Sequence, residues 1–201
     1  IIMKEKIVHF YSEGVKLEGD YYLPDDMKEG ESRPGIVMCH GYSGVRSVIF
    51  PDYAAKFTEA GYPVLGFDYR GFGGSDGVKW RIIADEQLQD IRNAVTWMEA
   101  QPEVNAERIG VWGTSNGGAH VVAAAATDER IKCAVGQVGY GDGNRLLTDN
   151  YSPEELEQFH KLLRKDRTNR VLNGKGETTP VATLLNSPQT SQFMAAAWNN
   201  P

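Results

Sequence analysis

The segment from Arg108 to Asp128, RIGVWGTSNGGAHVVAAAATD, constrains the fold more than any other. It begins as a short apolar run suited to a strand buried on both faces. It ends as a helix of small residues suited to close packing on a sheet. Only GTSNGG is available to reverse the chain between them, which puts Ser115 on a strand–turn–helix bend. So tight a bend requires minimal side chains beside it, and Gly113 and Gly117 meet that need, while Gly118 lets the helix approach the sheet. The geometry lifts the serine hydroxyl above the sheet and points a helix N-terminus at it. Backbone N–H groups there favour developing negative charge. Gly113–Gly117 thus reads as a G-x-S-x-G nucleophile elbow with Ser115 as the nucleophile. Gly73–Gly77 matches the same pattern, but Ser75 lies several residues beyond its strand, and no small-residue helix follows. It reads as structural.

The rest of the chain supplies the sheet. KIVHFYSE and VKLEGDYYLP read as two edge-type strands joined through Gly14. PGIVMCH and YPVLGFDY read as buried strands, with a helix over FPDYAAKFTEAG between them that stops at Gly61. Leu88, Ile91, Val95 and Met98 share one face of a helix over Asp85–Gln101. IKCAVGQVGYG is a further strand. This alternation predicts an α/β fold: a mostly parallel, doubly wound sheet with helices on both faces. From about Asp142 polar residues dominate, and no strand signal returns. Ser152, Pro153 and Glu155 form a capping box before a charged helix, and Ser187-Pro188 is a second helix start. Residues 1–143 are therefore expected to form the core and residues 144–201 a helical cap or insertion.

With 201 residues the chain is long enough to bury a real core. The net charge of −6 and the lack of a basic run argue against nucleic acid or an anionic membrane as partner. No apolar run approaches a membrane span, and the N-terminal IIMKEKIVHF lacks the apolar segment of a signal peptide. The two cysteines, Cys39 and Cys133, sit in strand-like runs without metal-ligand spacing and are expected to be buried, reduced thiols. A cytoplasmic protein without a metal is the expectation.

Acyl transfer at Ser115 requires two preorganised donors for the oxyanion of the tetrahedral intermediate. The Asn116 N–H, next in the chain, is one candidate. The Tyr42 N–H is the other: HGYSG follows an earlier strand, and Gly41 and Gly44 let its backbone come close. His40 reads as a residue that holds this loop.

Taken in order, HGYSG, DYRGFGGSDG and GTSNGG resemble the α/β-hydrolase superfamily. The flavour is similar to its dienelactone hydrolase and Xaa-Pro dipeptidyl-peptidase/cocaine-esterase-like branches. The resemblance covers roughly residues 5–142. It implies an eight-stranded sheet, a Ser-His-Asp triad and no cofactor. It also implies that Ser115 is the nucleophile, that Tyr42 and Asn116 line the oxyanion hole, with the Tyr42 phenol as a further donor, and that the DYRGFGGS loop supports the site.

In this fold the acid and then the histidine follow the serine in the chain. Asp142, at the end of a strand, is the better candidate acid and Asp149 the weaker. His160, inside a helical pattern, is a poor base. The last two strands and the rest of the triad are thus expected to lie outside this chain, on a C-terminal fragment or a second chain that completes the fold. Residues 1–201 alone would then leave an apolar sheet edge open and are expected to be insoluble or inactive. The leading reading is a serine hydrolase that cleaves a small-molecule ester, thioester or amide through an acyl-enzyme. In it Phe193, Met194 and Trp198, with Leu184 and Leu185, either line the acyl pocket or simply pack the cap on the core. A carbon–carbon bond hydrolase or an acyltransferase on the same fold is one alternative, and a non-catalytic binding protein another.

Overall fold

A computed structural model describes residues 4–149 and 151–179. They fall into two compact units, divided between Tyr140 and Gly141.

The first unit holds six strands: β1 (Lys4–Ser12), β2 (Val15–Leu23), β3 (Arg33–Cys39), β4 (Val64–Phe67), β5 (Val104–Thr114) and β6 (Ile131–Gln137). Their order across the sheet is β1-β2-β4-β3-β5-β6. The first two strands form an antiparallel hairpin, turned at Glu13 and Gly14 with φ positive at both residues, as a tight two-residue turn requires. β2 runs antiparallel to β4, and β3, β4, β5 and β6 are mutually parallel. β2 therefore lies inside the sheet with β1 outside it, so only one of the two expected edge strands is an edge.

Three helices cover the two faces: α1 (Arg46–Glu59), α2 (Ala84–Glu99) and α3 (Asn116–Ala125). On one face Phe50 and Ala54 of α1 close over Tyr22, Met38, Val64 and Trp112. On the other, Ile91, Ala94, Val95 and Met98 of α2 and Val121 and Ala124 of α3 close over Val37, Cys39, Leu65 and Phe67. Adjacent residues of β3, Val37 and Met38, thus serve opposite cores, as alternation along a strand demands.

α1 begins earlier than its sequence suggests and carries Pro51 inside it. Val45 gives it no side-chain cap. Instead the Asp68 carboxylate, just beyond β4, accepts the Arg46 N–H at 2.7 Å. That cap comes from a distant segment and is invisible in local sequence.

Among the described residues β6 forms one edge of the sheet and pairs only with β5. From Lys132 to Gln137 its residues are exposed, Cys133 and Val135 among them. Cys133 is therefore a surface thiol, contrary to the expectation of burial, because it lies on the edge strand of the sheet. Cys39 is buried as expected.

In the second unit Asp142 caps α4 (Gly143–Thr148), and the Ser152–Glu155 capping box starts α5 (Pro153–Asn173), which ends at Gly174 with φ +68°. Among the described residues no helix is long and apolar enough to cross a membrane.

Candidate active site

Ser115 stands between β5 and α3 with φ 55° and ψ −120°, a backbone conformation that costs an L-residue about 1–3 kcal/mol. Two main-chain bonds hold it there. Its N–H donates to the Gln137 carbonyl of β6 at 2.9 Å, and its carbonyl accepts from the Ala119 N–H at 3.2 Å. A serine at a helix N-cap ordinarily turns its hydroxyl onto the first-turn N–H groups. Ser115 occupies that position and makes no such bond. The side chain is exposed instead.

Glycine backbone fills the space beneath. A Cβ on Gly113 would collide with the Gly117 carbonyl, and one on Gly117 would collide with Cys39 O and lie 2.5 Å from His40 O. One on Gly118 would lie 2.8 Å from Gln137 O, and one on Gly139 2.8 Å from the Ala119 nitrogen. The first turn of α3 thus rests directly on the carboxyl ends of β3 and β6. The flanking glycines are required by each other and by β3, rather than by the serine side chain alone.

This packing brings the loop after β3 alongside Ser115. A Cβ on Gly41 would lie 3.1 Å from Ser115 Cβ and 3.6 Å from Ser115 Oγ. The Gly41 carbonyl accepts two hydrogen bonds, from the Gly44 N–H at 3.1 Å and from His40 Nδ1 at 2.9 Å. The Gly41 C=O and the Tyr42 N–H belong to one planar trans peptide, so fixing the carbonyl turns the N–H the opposite way. His40 also accepts the Tyr69 N–H at Nε2, at 3.2 Å, so its ring is neutral with the proton on Nδ1. Burial pushes its pKa down, against the pull of the Gly41 carbonyl and of Asp68.

Asn116 is buried, and its carboxamide is engaged at both ends. Nδ2 donates to Gln87 Oε1 of α2 at 3.2 Å, and Oδ1 accepts the Tyr140 hydroxyl. Tyr42 is half-buried. Burial raises its phenol pKa, and the neighbouring Tyr140 raises it further. Ser115, Tyr42, Asn116, Gln87 and Tyr140 therefore gather in one region. Sequence reasoning missed the last two. Gln87 carried a faint signal, a polar residue one turn before Ile91 on the buried face of α2; Tyr140 carried none.

Below the loop Arg46 binds three carboxylates: Asp20 at 2.8 Å, Glu18 at 2.6 Å, and Asp68, which is 1% exposed. The Ser75 hydroxyl donates to Asp68 O at 2.6 Å and accepts the Glu18 N–H at 2.9 Å. Both its hydrogen-bonding roles are used inside the protein.

The candidate acid and base of the second unit have other surroundings. Asp142 accepts the N–H groups of Asn144 and Arg145 as the cap of α4. Asp149 pairs with Arg145 at 3.3 Å. His160 is exposed on α5. In the first unit His9 binds Glu18 at 3.0 Å, and His120 is buried against Tyr69 with Nδ1 unpartnered. Among the described residues no histidine hydrogen-bonds Ser115, and no three His, Cys, Asp or Glu side chains gather as a metal site. Leu184, Leu185, Phe193, Met194 and Trp198 lie outside the described residues.

Known proteins resemble this chain in sequence and fold. The chain is 39% identical over 186 residues to the uncharacterized 31.7 kDa protein in the traX-finO intergenic region of Escherichia coli, covering 92% of this chain and 63% of that one. It is 32% identical to the quorum-quenching protein AidA of Acinetobacter baumannii (strain MDR-ZJ06), over 90% of this chain and 60% of the relative. The crystal structure of the α/β hydrolase GrgF from Penicillium sp. sh18 superposes with a TM-score of 0.76 at 28% identity, over 96% of this chain and 65% of that chain. The curated polyketide transferase grgF from Penicillium sp. is 34% identical over 139 residues, 69% of this chain and 45% of the relative. The chain thus spans less than two thirds of the length of the relatives it matches. Residues 13–173 match the family model described as X-Pro dipeptidyl-peptidase (S15 family). An α/β sheet, a glycine-packed serine bend and a match over most of the sequence agree: the chain belongs to the S15 family of α/β-hydrolases.

Proposed function

We propose that the protein is a serine hydrolase that cleaves an ester, thioester or amide of a small molecule through an acyl-enzyme on Ser115. The observation that carries this reading is the strained, uncapping, exposed conformation of Ser115 beside the Gly41–Tyr42 peptide. Strain at a non-glycine residue persists only where the surroundings enforce it, and it collects at working sites. In the proposed reaction Ser115 Oγ attacks the carbonyl carbon of the substrate. The N–H groups of Tyr42 and Asn116 receive the oxyanion, and collapse expels the alcohol, thiol or amine. Water then releases the acid by the same route. A histidine and an acid are needed to move the proton. We assign them to a part of the whole protein outside the described residues, as a further segment or a second chain, since no described histidine of the first unit hydrogen-bonds Ser115. Asp142 remains the candidate acid within this chain, although its carboxylate is engaged as a helix cap.

A second reading is acyl transfer to an acceptor other than water. It is favoured by the likeness to the polyketide transferase grgF, whose name states transfer. The two readings share the acyl-enzyme and differ only in what attacks it.

The test is labelling of the whole protein with a fluorophosphonate probe, followed by peptide mapping. Modification at Ser115 that disappears in Ser115→Ala is expected. An intact protein that stays unlabelled would overturn the reading in favour of a binding protein. Product analysis with and without nucleophilic acceptors separates hydrolysis from transfer.

A further inference from the structure

From the chain of hydrogen bonds Tyr140–Asn116–Gln87 we infer that Tyr140 is a positioning residue for the oxyanion site and acts through Asn116. The inference rests on the reading of Ser115 as nucleophile.

The Asn116 N–H belongs to the peptide that directly follows Ser115, so its direction depends on how the first residue of α3 is held. Two elements distant in sequence grip that residue. Gln87 lies on α2, and Tyr140 lies just past β6. The Tyr140 segment is held in turn. Val138 has φ 48°, and Gly139 is pressed against the first turn of α3, where a Cβ would lie 2.8 Å from the Ala119 nitrogen. The carboxamide of Asn116 is therefore a bridge whose two ends pull toward opposite elements. The residue after the serine contributes its main chain to the oxyanion site and its side chain to the frame that fixes that main chain. An apolar residue of similar size at position 116 would break both bonds and leave the Gln87 amide and the Tyr140 hydroxyl to find new partners.

Tyr140 donates its proton to Asn116, and it lies close enough to Tyr42 to raise the pKa of that phenol. Transition-state stabilisation by an oxyanion hole depends on donors that are already in place. Loosening one of them lowers the rate of the acylation step and leaves ground-state binding intact.

The experiment is the rate of fluorophosphonate modification of Ser115 in the whole protein, wild type against Tyr140→Phe, Asn116→Ala and the double variant. Amide hydrogen exchange of the peptide covering residues 113–121 is followed in parallel. Tyr140→Phe is expected to slow modification about tenfold, with the probe concentration for half-maximal rate unchanged, and to speed exchange in that peptide but not in the β1–β2 hairpin. The double variant is expected to be no slower than Asn116→Ala, because both changes cut the same connection. Wild-type modification and exchange rates in Tyr140→Phe would overturn this inference and leave the nucleophile reading standing, and additive losses in the double variant would do the same. Absence of modification in the wild type would overturn both.

Discussion

Gly41 packs so near Ser115 that a methyl group on it would lie 3.1 Å from Ser115 Cβ. The loop after β3 therefore reaches the serine through backbone alone, with no side chain between them. Gly41→Ala is expected to push the two apart by a few tenths of an ångström. Fluorophosphonate modification at Ser115 should fall at least tenfold, while the melting temperature shifts by only a few degrees, since Gly41 is only half-buried.

Ser115→Gly is expected to separate function from stability. Glycine adopts φ 55° without the steric cost that serine bears, so the variant should be more stable by about 1 kcal/mol. Probe modification should be abolished. Denaturant unfolding of Ser115→Gly beside Ser115→Ala measures the difference directly.

Ser75→Ala tests the second G-x-S-x-G match. Its hydroxyl links Asp68 O to the Glu18 N–H in a buried position, so its loss should cost about 1–3 kcal/mol. Ser115 should remain reactive. Arg46→Leu is a harsher change, because it leaves Asp68 as a buried carboxylate without its cation and should cost about 3–5 kcal/mol. Arg46→Lys should not restore it, since one ammonium group does not reproduce three directed bonds.

The buried histidines give the fold an acid limit. Burial pushes the pKa of His40 down, opposed by the Gly41 carbonyl and Asp68. It does the same to His120, with His40 adding to the effect across Tyr69. A base with a depressed folded pKa binds fewer protons when folded, so stability rises with pH through the titration window. The contribution is complete above the ordinary histidine value of about 6.5 and is lost as the pH falls below it. Thermal unfolding between pH 8 and pH 5 should show this decline. His120→Leu should flatten it and should be neutral or stabilising at pH 8, since Nδ1 has no partner to lose.

The layout of the sheet was legible because each buried strand is a continuous apolar run and each helix carries its own stripe. Ile91, Val95 and Met98 are indeed fully buried. The turn at Ser115 was legible because glycine spacing reports steric need directly. Long-range polar contacts were not. The cap on α1 comes from Asp68, and the grip on Asn116 comes from Gln87 and Tyr140, each fixed by tertiary folding rather than by neighbours in the chain. The exposure of Cys133 was missed for a related reason, since an apolar strand looks the same at the edge of a sheet as at its centre.

Beneath Ser115, main chain lies on main chain at Gly113, Gly117, Gly118, Gly136 and Gly139. This inverts the usual map of mutational tolerance. Replacing a surface lysine or glutamate alters little, yet the smallest genetic step from glycine, a single added methyl, wedges a helix off its sheet. Around this bend the most vulnerable positions are ones that carry no side chain at all.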